Sequence, residues 1–92
     1  MKPEQTIERY LSRKLKEVGG MAVKLVGYNG IPDRLAVFPD GSVAFIELKA
    51  PGGRLAPIQT AVQFRLRNMG QDVRVLWSIE AVDELIKEKI GC

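Results

Sequence analysis

Two carboxylates are placed where they could hold one metal ion, with a lysine beside them. Asp33 follows Pro32 at the start of one apolar run, and Glu47 and Lys49 end the next run. The two runs flank a Pro-Asp-Gly turn, which predicts a β-hairpin. A hairpin brings the start of its first strand beside the end of its second. Asp33 is therefore expected within about one residue of Glu47 across the ladder.

This arrangement suits hydrolysis of a phosphodiester bond. Strand alternation places Glu47 and Lys49 on one face and Ile46 and Leu48 on the other. Burying two carboxylates there is costly unless a cation compensates them. A divalent ion held by Asp33 and Glu47 would acidify an attacking water and offset phosphoryl charge, while Lys49 orients or deprotonates that water or stabilises the transition state. The alternative is structural, with Asp33 capping a turn and Glu47 and Lys49 on a solvated strand edge.

The composition narrows the metal chemistry. The chain has no histidine, which excludes His-based zinc sites, Ser-His-Asp triads and Cys-His pairs. Its single cysteine, Cys92, excludes an intramolecular disulfide and a thiolate metal site. Oxygen ligands remain, and they favour Mg²⁺ or Mn²⁺. The net charge of +3 is compatible with a polyanionic partner.

Hydrophobic periodicity and turn residues predict seven elements in one domain, residues 1–92. Helices are expected at 4–18, at 57–69 and after Ser78, and strands at 21–26, 34–38, 43–49 and 72–77. Arg34 should pair near Glu47 in the hairpin, and Phe38 near Val43. The helix at 57–69 should bury the stripe formed by Ile58, Val62, Leu66 and Met69. The order α-β-β-β-α-β-α predicts an α/β domain with a mixed sheet.

Three segments together resemble one nuclease family. Ile-Pro-Asp-Arg at 31–34, Phe-Ile-Glu-Leu-Lys-Ala-Pro-Gly-Gly-Arg-Leu at 45–55 and Pro-Ile-Gln at 57–59 are similar to VRR-NUC domains, a branch of the PD-(D/E)xK nucleases. The resemblance covers nearly the whole chain and implies a restriction-endonuclease-like core, with the mixed central sheet flanked by helices. It implies Asp33, Glu47 and the Leu48 carbonyl as metal ligands and Lys49 as the catalytic lysine.

The same resemblance adds two positions on helices. An acidic residue of the first helix matches Glu4 as a further metal ligand, with Glu8 as its competitor, and a glutamine of the later helix matches Gln59 as a catalytic residue. The structural alternatives are that Glu4 complements the helix dipole and that Gln59 is a surface amide.

The resemblance also implies a DNA substrate. Stand-alone VRR-NUC proteins act as homodimers on four-way (Holliday) junctions, whereas fused members act on flaps. Arg54, Arg34 and Lys24 are the expected phosphate contacts, and Tyr28 either stacks on a base or packs internally. A non-catalytic nucleic-acid-binding module is the competing hypothesis. No signal-peptide or membrane segment is recognised, so the expected location is the cytoplasm of a bacterial or phage-infected cell.

Overall fold

A four-stranded mixed sheet with helices on both faces organises the chain. The computed structural model describes residues 2–91, so Cys92 lies outside the described part. The elements are α1 (Pro3–Glu17), β1 (Met21–Lys24), β2 (Arg34–Val37), β3 (Val43–Leu48), α2 (Pro57–Asn68), β4 (Val73–Leu76) and α3 (Ile79–Ile90). The predicted α-β-β-β-α-β-α order is confirmed, with most boundaries moved by one or two residues.

The strands lie in the order β1-β2-β3-β4. The first three are antiparallel neighbours, and β4 runs parallel to β3 after the α2 crossover. Met21–Lys24 is shorter than the predicted strand because the backbone leaves the ladder after Lys24. Beyond Lys24, the Leu25 N–H donates to the carbonyl of Asp33, the residue before β2, at 3.0 Å.

The main core lies between one sheet face and the pair α1 and α3. Ala44, Ile46 and Leu48 alternate along β3 toward this side, where they meet the buried stripe of α1. That stripe consists of Ile7, Leu11 and Leu15, as its four-residue spacing predicts. Ser78 caps α3 as predicted, since its hydroxyl accepts the Ala81 N–H at 3.1 Å.

Helix α2 covers the opposite face over β4 and the end of β3. The predicted stripe is only partly correct. Val62 is buried, but Ile58 and Met69 are 45% and 64% exposed. The side chain that shares the interior with Val62 is Gln63, which is 1% exposed. Among residues 2–91, no helix has the length and apolarity that crossing a bilayer requires.

Candidate active site

The hairpin aligns the two carboxylates more closely than predicted. Arg34 pairs with Ile46 rather than with Glu47, and the last pair before the turn is Val37 with Val43. The predicted register was therefore one residue off, because Phe38 closes the turn through its N–H to the Ser42 carbonyl at 2.9 Å. Extending the observed register by one residue brings Asp33 opposite Glu47.

Asp33 is fixed at this end of the sheet by the backbone of β3. Its Oδ2 accepts the Leu48 N–H at 2.9 Å. This bond holds the carboxylate against the backbone of Leu48, the residue whose carbonyl was expected to serve as a ligand. Asp33 also lines a cleft of about 340 Å³ beside the first turns of α1. We call this region, defined by Asp33 and Glu47, the acidic end of the sheet.

Glu47 is 2% exposed, and its carboxylate is only half satisfied. Gln59 Nε2 donates to Oε2 at 3.2 Å, and Lys49 Nζ lies 3.7 Å from the same oxygen. Oε1 is buried and has no hydrogen-bond partner within the described part of the chain. Burial first, and then the charge of the neighbouring Asp33, raise the pKa of Glu47 to about 7, against the opposing effect of Lys49.

The first turn of α2 orients the Gln59 amide. Gln59 Oε1 accepts the Ala56 N–H at 2.8 Å, which satisfies one free donor at the start of the helix. Its Nε2 is consequently directed at Glu47. The predicted glutamine is therefore half-buried and contacts Glu47 of the acidic pair.

Glu4, the residue of the first helix that was predicted as a metal ligand, lies near Asp33 but is not part of a close cluster of acidic side chains. Glu4 lines the same cleft as Asp33. Its competitor, Glu8, is engaged by Arg34 at 2.5 Å. Within residues 2–91, no three Asp, Glu, Cys or His side chains are close enough together to hold an ion. The predicted carboxylates that the fold brings into contact are Asp33 and Glu47.

The four expected DNA contacts occupy different environments. Lys24 is exposed on the wall of the cleft, and Arg54 is exposed in the loop after β3. Tyr28 is 53% exposed, and its hydroxyl accepts a hydrogen bond from Arg65 at 3.2 Å. Arg34 is less exposed than Lys24 and Arg54: its side chain is 13% exposed, pairs with Glu8 and donates to the Asp33 carbonyl at 2.9 Å. These internal partners make Arg34 a support of the site's backbone.

Sequence reasoning missed Gln63. It lies one turn after Gln59 on the inner side of α2, and its Nε2 is buried with no partner in the described residues. The available signal was a glutamine pair at i and i+4 in line with the apolar stripe, since a polar residue at an inward position requires a partner or a function.

An acidic pair with a lysine at the end of a β-hairpin, on a mixed sheet between helices, defines the PD-(D/E)xK class of nuclease domain. A solved structure described as "VRR_NUC domain" matches with a TM-score of 0.84 and 29% identity, covering 95% of this chain and 97% of that one. The phage protein "Putative nuclease p44", of Acyrthosiphon pisum secondary endosymbiont phage 1, is 41% identical over 75 residues, which is 79% of this chain and 81% of that protein. No protein-family model matches the sequence. The chain belongs to the VRR-NUC family of nucleases.

Proposed function

We propose that this protein is a divalent-metal-dependent endonuclease that hydrolyses phosphodiester bonds in branched DNA. The observation that carries the proposal is the buried Glu47 carboxylate, which lies beside Asp33 and Lys49 and has one oxygen without a partner among residues 2–91. A fold gains no stability from two adjacent carboxylates with a single nearby ammonium. The arrangement is suited to a cation that completes it.

The donor set fits Mg²⁺ or Mn²⁺. Asp33, Glu47 and the Leu48 carbonyl would hold the ion, all through oxygen atoms, as hard cations prefer. Two carboxylates suffice for Mg²⁺, which usually keeps several of its waters. When bound, the ion supplies Lewis acidity toward the attacking water and the scissile phosphate.

The remaining catalytic and binding roles belong to side chains of the protein itself. Lys49, whose side chain is 18% exposed, presents an ammonium at the acidic pair, where it can orient the attacking water or stabilise charge on the phosphate. Gln59 positions the Glu47 carboxylate. Lys24, which lines the cleft beside Asp33, and the exposed Arg54 supply positive charge for the DNA backbone.

The four-way junction is the proposed substrate, with a homodimer as the active form. A two-fold dimer presents two equivalent sites, which matches the symmetry of a four-way junction and the need to cut two strands. The proposal rests on the VRR-NUC membership together with this symmetry argument.

The test compares labelled four-way junction, flap and linear duplex in Mg²⁺, Mn²⁺ and EDTA. The wild type should cut the junction in a metal-dependent way. Lys49→Ala should lower the rate by about 100-fold or more while DNA binding is retained. Lys87→Ala, an exposed lysine of α3, is the matched control and should cut normally.

Each other result has a defined meaning. Preferential cutting of the flap would replace the junction as substrate and keep the nuclease. Binding without cutting in either metal would refute the nuclease proposal and favour a non-catalytic DNA-binding module. Equal loss of activity in both lysine variants would remove Lys49 from the site.

A further inference from the structure

Two polar side chains are buried almost completely in the described part of the chain, residues 2–91. They are Glu47, at 2% exposure, and Gln63, at 1%. Each has one side-chain atom without a hydrogen-bond partner in these residues, Oε1 of Glu47 and Nε2 of Gln63. The oxygen is an acceptor and the amide nitrogen a donor, so the two unmet requirements are complementary. Native folds leave few buried polar atoms unpaired, and each exception requires an explanation.

The contacts of α2 place Gln63 in the same layer of the fold as Glu47. Gln59, near the start of the helix, contacts Glu47 near the end of β3. Arg67, near the end of the helix, donates to the Val73 carbonyl at the start of β4 at 3.0 Å. Helix α2 therefore runs antiparallel to these two parallel strands. Gln63 lies midway between the two contacts, and its burial shows that it faces the sheet.

The direction of the Gln63 side chain points toward the acidic end. In an α-helix the Cα–Cβ bonds tilt toward the N-terminus, so a long side chain lies over the preceding turn. For Gln63 the preceding turn starts at Gln59, about 6 Å away along the helix axis. The Gln59 amide already donates to Oε2 of Glu47 at 3.2 Å. The second inward amide of α2 is thus directed toward the carboxylate whose other oxygen is unpaired.

We propose that Gln63 is a second positioning residue for Glu47, and that its Nε2 donates to Oε1 when the carboxylate holds the metal ion. The inference rests on the proposed metal site. A carboxylate oxygen has two lone pairs, so Oε1 can bind an ion and accept a hydrogen bond together. Carboxylates that bind metals are usually held by such outer donors. Gln59 holds one oxygen and Gln63 the other, which fixes the plane of the carboxylate.

This role separates metal affinity from the stability of the metal-free fold. A buried donor without a partner destabilises the fold, whereas an apolar side chain at position 63 would pack beside the buried Val62 and Val73. A contact that forms only with the metal adds its free energy to metal binding. Removal of the Gln63 amide should therefore stabilise the metal-free protein and weaken its affinity for the ion.

The test measures both quantities on the same proteins. Gln63→Met and Gln63→Leu remove the amide and keep an apolar side chain of similar size. In EDTA, Gln63→Met should raise the Tm by about 4 to 8 °C, because an unpaired buried donor is removed. In calorimetric titration without DNA, both variants should bind Mn²⁺ about 10-fold or more weakly than the wild type. Gln71→Met, at an exposed glutamine between α2 and β4, is the control and should change neither value.

Cleavage kinetics give a third measurement. At saturating Mn²⁺, Gln63→Met should lower kcat by about 10-fold with KM for DNA unchanged, since Gln63 acts on Glu47 and not on the substrate. A Tm that falls in EDTA, or an unchanged Mn²⁺ affinity in both apolar variants, would show a structural glutamine and overturn the proposal. A wild type that binds Mn²⁺ and cuts no DNA would refute the nuclease proposal alone, because the Mn²⁺ affinities would still decide the role of Gln63.

Discussion

Replacing Glu47 by glutamine should make the metal-free protein more stable at pH 8. The folded state holds the pKa of Glu47 at about 7, compared with 4.5 for a solvated glutamate, because of burial and the nearby Asp33. Between pH 4.5 and 7 the folded state binds more protons at this group than the unfolded state does. The free energy of unfolding therefore falls as pH rises through this window, and the full penalty is present above pH 7.

The magnitude follows from the same values. Each pKa unit corresponds to about 1.4 kcal/mol, so the rise from 4.5 to about 7 corresponds to about 3.5 kcal/mol. Solvent at the open end of the site screens part of this interaction, which leaves about 2 kcal/mol. Glu47→Gln keeps an acceptor for Gln59 and removes the charge. For a chain of this size, we expect its Tm to rise by about 8 to 16 °C at pH 8 in EDTA.

The assay is thermal and urea unfolding of both proteins in EDTA from pH 5 to pH 8.5. The difference in unfolding free energy between the variant and the wild type should grow with pH and level off above pH 7. Glu84→Gln on the exposed face of α3 is the control and should give a difference that does not change with pH. A Glu47→Gln variant less stable than the wild type at pH 8, or a flat difference, would refute the argument that this carboxylate is held at a cost. Addition of Mg²⁺ should stabilise the wild type and leave the variant unchanged.

Three further changes test other parts of the structure. Gln59→Ala should lower kcat by about 10- to 100-fold with little change in KM, because a positioning contact to the buried carboxylate is lost; an unchanged kcat in steady-state cleavage would contradict this role. Asp72→Asn should lower the free energy of unfolding by about 1 kcal/mol at pH 7 through loss of its ion pairs with Arg74 and Lys89, both at 2.6 Å. Hydrogen bonds hold the pKa of Asp72 below its usual value, so this advantage of the wild type should disappear as pH falls below 3.8, and persistence at pH 2 in urea titrations would refute the assignment. Gly30→Ala should cost about 2 kcal/mol, since φ is +87° and a Cβ would lie 2.8 Å from the Ile58 carbonyl oxygen; an unchanged Tm would show that the loop relaxes freely.

Local sequence patterns were sufficient for the two helices that form the main core. The stripe of Ile7, Leu11 and Leu15 lies at spacings that can face only one way on a helix, and all three are buried. Ser78 caps α3 for an equally local reason. The same applies to the hairpin, whose turn residues are contiguous. Its register was missed by one residue because the sequence does not show which pair is the last before the turn.

The burial of α2 could not be predicted in the same way. Its apolar stripe is regular, but the inward direction depends on the loop before β2 and on the strands beneath the helix, both distant in sequence. As a result Met69 is exposed, and Gln63, a polar residue, is buried. The partner of Arg34 was also missed, because its ion pair with Glu8 joins β2 to α1 across the fold.

The burial of Glu47 distinguishes a functional explanation of the site from a purely structural one. An apolar residue at position 47 would pack against α2 without a desolvation cost, and a solvated edge would leave the pKa of a glutamate near its usual value. The structure instead buries Glu47 opposite Asp33, satisfies one carboxylate oxygen with Gln59 and leaves the other without a partner in the described residues. A buried carboxylate of this kind breaks the usual packing rules. Such exceptions are typical of functional sites, and the rest of the fold has to supply the stability that they cost. The core between the sheet and the helices α1 and α3, where Leu11, Leu15 and Ile46 are fully buried, provides that support. The stability of the fold therefore comes mainly from one face of the sheet. The residues at the acidic end can then be those that the reaction requires rather than those that pack best.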